Sequence, residues 1–192
     1  MPQSPTVSRS DQRRALSVST VAFTACFAVW TIFSIIGIQI KQELGLSETQ
    51  FGLLVGLPIL TGSLSRIFLG IWTDQYGGRI VYVAVMVLAA AATLLLTWAD
   101  TYLTTLIAAL GVGLAGGSFA VGIAYVSRWY PTNQQGTALG IFGVGNVGAA
   151  VTKFIAPFVL VAYGWQTVAN VWAIALLIMA AVFWFTTKDD PV

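Results

Sequence analysis

Residues 136–157 read GTALGIFGVGNVGAAVTKFIAP, a glycine-studded apolar segment that carries one asparagine and one lysine. At ~1.5 Å of rise per residue a helix of this length covers the ~30 Å hydrocarbon core of a bilayer. In water Gly136, Gly140, Gly143, Gly145 and Gly148 would weaken such a helix badly. Lipid reverses that, because no water is present to accept stray backbone hydrogen bonds and small residues become surfaces of close helix approach. Asn146 and Lys153 lie about two turns apart and share one face, with Pro157 near the same line. A lysine in hydrocarbon costs ~2.5–3.5 kcal/mol on insertion scales, so this face is expected to look onto a water- or substrate-filled cavity or onto a partner inside the protein.

The rest of the chain has the same character. Of its 192 residues 57% are hydrophobic and only 8% charged, with a mean hydropathy of +0.84. Ordinary soluble domains carry about 25% charged residues. The expected class is therefore an all-α membrane protein with six transmembrane helices and no sizeable soluble domain. The single cysteine, Cys26, lies in an apolar run and has no disulfide partner. There is no histidine, and no metal, cofactor or nucleic-acid partner is expected. Nothing in the composition points to an enzyme.

Outward from the opening segment, the apolar runs cover residues 15–40, 51–72, 80–98, 102–126, 136–157 and 168–187. Residues 1–14 read as a polar tail and 15–187 as the six-helix bundle. Pro58 falls inside the second run, where a membrane helix tolerates it. The third run has only threonines as polar groups and reads as a peripheral packing helix. In the fourth, Gly113 and Gly117 form a GxxxG pair suited to close packing, the role also expected of Gly140, Gly145 and Gly148. With the N-terminus in the cytoplasm, Arg9, Arg13, Arg14, Arg79, Arg128 and Lys188 fall inside and only Lys41 outside. The positive-inside rule then puts both termini in the cytoplasm, and Trp72, Trp98, Trp129, Trp165 and Trp184 near interfaces.

Inside the runs the charges are Arg66 and Lys153. Both are cationic, so a cavity lined by them suits an anion. Arg66 alternatively snorkels to the nearby interface, and Lys153 alternatively packs or pairs within the protein or loses its proton and couples transport to it.

The loop after the second run reads GIWTDQYGGR, residues 70–79. It resembles the G-x-x-x-D-x-x-G-x-R signature of the major facilitator superfamily, and six spans with both ends inside look like the N-terminal half of its twelve-helix fold. Gly70 would permit close helix contact, Asp74 would pair with Arg79 or Arg128, and Gly77 with Gly78 would turn the chain, together forming a gating latch. A narrower resemblance is carried by GSLSRIFLGIWTDQYGGR, GGSFAVGIAYVSRWYP and QGTALGIFGVGNVGAAVTKFIAP. These segments look like those of the nitrate/nitrite porter family, with GVGNVG as its nitrate signature.

That resemblance implies a secondary transporter for nitrate or nitrite. It makes Arg66 the substrate-binding arginine, Asn146 the signature asparagine and Phe119 the aromatic that sandwiches the planar anion. Lys153 is similar to the branch assigned to proton–nitrate symport, whereas exchangers carry an uncharged residue there. Residues 188–192 would open the central cytoplasmic loop, with a further six-helix half absent from this chain. A facilitator for another small anion, a nitrate/nitrite exchanger and a non-transporting membrane module remain the alternatives.

Overall fold

The structure is a computed structural model that describes residues 8–191. The first residues of the expected tail, 1–7, and the last of the expected loop, residue 192, lie outside the described residues. Six helical spans run Arg9–Glu43, Glu48–Tyr76, Gly78–Leu96, Tyr102–Trp129, Thr132–Tyr163 and Trp165–Thr186. Each is long and apolar enough to cross a membrane. No strand occurs among the described residues. The all-α, six-span reading of the sequence is what the chain adopts.

Local chemistry sets several boundaries. Ser47 and Gln50 form a capping box at the start of the second span, and Thr101 and Thr104 do so for the fourth. Gly77 and Gly164 end their helices at φ of 86° and 82°, a backbone region open to glycine. Two spans are broken internally. The first divides into Arg9–Trp30 and Phe33–Glu43, and the fifth carries a 3₁₀ turn, Val144–Val147, in the middle of the glycine-rich signature.

Hydrogen bonds define the two ends of the bundle. At the terminal end Gln12 donates to the Trp129 carbonyl, and Gly78 donates to Asp190. At the opposite, loop end Trp165 donates to Glu43 and Tyr102 to the Gln50 carbonyl. Successive spans are thus antiparallel. The fourth span packs against the first, second and third, while the sixth covers the first, third and fifth.

Burial is uneven. In the most apolar window of the second and fifth spans only 22% of residues are buried, against 44–56% in the other four. Those two spans therefore flank an open face of the bundle. Trp72, Trp98 and Trp184 are exposed near helix ends, as an aromatic belt requires, but Trp129 and Trp165 are buried. Their ends are the places where spans meet, so protein replaces the interface around them.

Candidate functional site

Side chains on a helix lean toward its N-terminus. Arg66 on the second span therefore leans toward the loop end, and Trp30 on the antiparallel first span leans toward the terminal end. They meet in the interior. The Arg66 guanidinium lies 5.9 Å from the Trp30 ring and 5.5 Å from the Phe119 ring. Phe119 in turn packs on Phe23 and Phe142, with ring centroids 5.4 and 6.1 Å away. The aromatic wall is held from behind. Trp30 donates from Nε1 to the Pro58 carbonyl at 2.9 Å, and a Cβ on Gly116 would come within 2.6 Å of its indole.

Arg66 itself is half-buried, its Nε is buried without a hydrogen-bond partner, and no carboxylate pairs with it among the described residues. A guanidinium offers donors in a planar fork, so this one is free to take two oxygens of a small anion with rings beside it. The snorkelling alternative does not describe this geometry. Its head group faces two aromatic rings of the bundle interior.

Arg66 and Phe119 are brought together, while neither Asn146 nor Lys153 hydrogen-bonds to Arg66 among the described residues. Asn146 sits in the 3₁₀ turn, exposed, and donates back to the Gly143 carbonyl at 2.7 Å. Lys153 is exposed and makes no ion pair or hydrogen bond among the described residues. It lines a cavity of about 240 Å³ with Trp30, Thr31, Ser34 and Pro58. An internal salt bridge for Lys153 is thus not formed.

The expected packing glycines divide. A Cβ on Gly113 would meet the Pro58 carbonyl at 2.8 Å, one on Gly117 would meet Ser65 Oγ at 2.7 Å, and one on Gly145 would meet the Thr20 carbonyl at 3.0 Å. Gly148 lies against the Thr24 carbonyl. Gly140 and Gly70 are corrections. A Cβ at either meets nothing within 4 Å, because Gly140 faces out on the open fifth span and Gly70 faces away from the fourth, so neither makes a close helix contact in this chain.

At the terminal end Asp74 pairs with Arg128, at 2.7 Å, and not with Arg79. Arg79 instead meets Asp189 at 3.3 Å, donates to the Trp184 carbonyl and stacks on the Trp184 ring at 4.3 Å. The second arm of Arg128 goes to Asp190, a buried carboxylate that also accepts from the Gly78 N–H at 2.9 Å. Sequence reading missed Asp189 and Asp190 because they follow the last apolar run. It missed Trp30 because a tryptophan inside an apolar run carries no polar signal.

The Major Facilitator Superfamily profile matches residues 18–192. The chain belongs to the Major Facilitator Superfamily. Among solved structures, this facilitator chain superposes with a TM-score of 0.82 on a bacterial homologue of the human lysosomal transporter Spinster, crystallised in an inward-facing, unoccupied conformation. At 20% identity, over 96% of this chain and 44% of that one, the likeness shows the fold. Curated relatives include a probable nitrate/nitrite antiporter of Thermus thermophilus, 44% identical over 93% of the chain. A nitrite extrusion protein of Bacillus subtilis is 31% identical over 88%, and a probable nitrate transporter of Staphylococcus carnosus is 30% identical over 88%. The facilitator chain spans 43–44% of the length of these relatives.

Proposed function

We propose that this chain forms the N-terminal six-span half of a secondary transporter, not an enzyme, that moves nitrate or nitrite across the cell membrane with both termini in the cytoplasm. The observation that carries the reading is Arg66, a guanidinium beside the Trp30 and Phe119 rings with no carboxylate partner among the described residues. A flat, weakly hydrated anion suits a planar fork between rings. The names of the relatives supply the substrate class.

The open face between the second and fifth spans is where a second six-span half would close the cavity, and the substrate would sit between halves that rock about it. Asn146, at the 3₁₀ turn on that face, would contact the anion or let the fifth span bend. The Asp74–Arg128 pair, with the Gly77 turn and Arg79 beside it, would form the latch at the cytoplasmic end. Lys153 makes proton–nitrate symport the first reading of the energetics. Nitrate/nitrite exchange is the second, favoured by the 44% identity to the probable antiporter of Thermus thermophilus. Counterflow separates them: exchange requires internal nitrite for nitrate uptake, whereas symport follows a pH gradient in its absence.

The site itself is tested at Arg66 in the intact transporter. Arg66→Lys keeps the charge and removes the fork, and Arg66→Gln removes both. A charge-assisted hydrogen bond contributes ~1.5–3 kcal/mol, so either variant should bind nitrate roughly ten- to hundredfold more weakly while still inserting. Near-normal nitrate affinity in Arg66→Lys would refute a bidentate site.

A further inference from the structure

Two cations within the spans, Arg66 and Lys153, make no ion pair among the described residues and share one neighbour. Trp30 lies beside the Arg66 guanidinium and also lines the cavity that Lys153 lines. We propose that Trp30 divides the anion path into two stations: the Arg66 site, and a second site at Lys153 that takes the same class of small, delocalised, monovalent anion. This rests on the anion-transport reading above and extends it by a second binding place and a dividing residue.

The chemistry of the second station follows from its lining. Apart from Thr31, Ser34 and Lys153 its walls are apolar, with Phe33, Val55 and Ile59 among them. Both hydroxyls are already donated, Thr31 to the Phe27 carbonyl at 3.0 Å and Ser34 to the Thr31 carbonyl at 2.7 Å. The Lys153 ammonium is then the free donor of the cavity. One ammonium over apolar walls cannot replace the water shell of a strongly hydrated or divalent anion, whereas a weakly hydrated monovalent one loses little on entering.

The divider is built to stay in place and to move. Trp30 is pinned by its bond to the Pro58 carbonyl and seated in a slot left by Gly62 and Gly116, where a Cβ would stand 2.8 and 2.6 Å from the indole. Directly after it the first span breaks, and Ile32 and Ser34 bond back three residues, to Val29 and Thr31, instead of four. Such a joint lets the indole swing without unwinding the helix below it. An anion passing between Lys153 and Arg66 would have to displace it.

Cysteine protection tests this in the intact transporter. Cys26 is fully buried, so Ser34→Cys places a reactive thiol in the Lys153 cavity for a membrane-impermeant thiol reagent. Nitrate should slow the labelling. With Trp30 present, Arg66→Gln should leave the protecting nitrate concentration within about twofold, whereas Lys153→Met should raise it about tenfold and Lys153→Arg restore it. In Trp30→Ala, Arg66→Gln should now raise it about tenfold, because the stations have merged; Trp30→Phe, which keeps a ring, should behave as the parent. Protection lost on Arg66→Gln alone, or insensitive to Lys153→Met, overturns the second station. If Arg66→Gln also transports nitrate normally, the underlying reading fails and not merely this extension of it.

Discussion

Arg128 is held by Asp190 more securely than by Asp74. The Asp190 side chain is 3% exposed and also accepts from the Gly78 N–H, whereas the Asp74 side chain is 72% exposed. The arginine that pairs with Asp74 of the superfamily loop is thus anchored by a residue outside that loop, just beyond the end of the sixth span.

Asp190→Ala should therefore destabilise the bundle by about 1.5–3 kcal/mol, the worth of hydrogen bonds to a charged group. Asp74→Ala should cost no more than ~1 kcal/mol, as exposed pairs do. Thermal unfolding in detergent reads both, and equal losses would refute the ranking.

Thr152 ties three spans. Its hydroxyl donates to the Ala28 carbonyl at 2.8 Å and accepts from Trp172 Nε1 at 2.8 Å, all in a buried setting. Thr152→Val keeps the shape and removes both bonds. Interhelical hydrogen bonds in membranes contribute ~0.6 kcal/mol on average and up to ~1.7. The loss should lie in the upper part of that range, since two bonds go; an unchanged melting temperature would show that the relay is not stabilising.

Two glycines of the fifth span should respond differently. Gly148→Val drives a side chain into the Thr24 carbonyl of the first span and should cost at least ~1–3 kcal/mol, while Gly140→Ala meets open space and should leave stability unchanged. The comparison needs only expression level and melting temperature of the two variants.

Orientation has its own test. Reporter fusions after Asp100 and after Val192 should read outside and inside respectively, as the basic residues of the sequence demand. The reverse pattern would put both termini outside the cell and refute this orientation.

Hydropathy made the six spans legible because a bilayer demands a fixed apolar length. It could not mark helix ends. The second span continues to Tyr76, past the apolar run that stops near Trp72, and the first begins at Arg9, outside its run, because helices extend beyond the hydrocarbon while hydropathy does not. Arg66 was legible as a charge where charge is costly. Its aromatic neighbours were only partly so: Phe119 came with the family resemblance, but Trp30, Phe23 and Phe142 are read only from the crossing of antiparallel spans. The breaks at Thr31 and Val144 are not read from hydropathy either: apolar residues flank the first on both sides, and the glycines and Asn146 around the second carry packing and binding readings as well as a turn.

The salt bridges among the described residues sit at the bundle ends, and unequally. Arg79–Asp189, Arg128–Asp74, Arg128–Asp190 and Lys188–Asp11 gather where the termini meet, while the loop end has Lys41–Glu48. Dissolved ions shorten the reach of exposed charges from about 10 Å at 0.1 M to about 3 Å at 1 M, and reach a lipid-embedded middle hardly at all. Concentrated electrolyte should therefore act as a one-sided solvent. Amide exchange should quicken around residues 74–79 and 187–190 well before it does around residues 41–50, with the interior of the bundle unmoved.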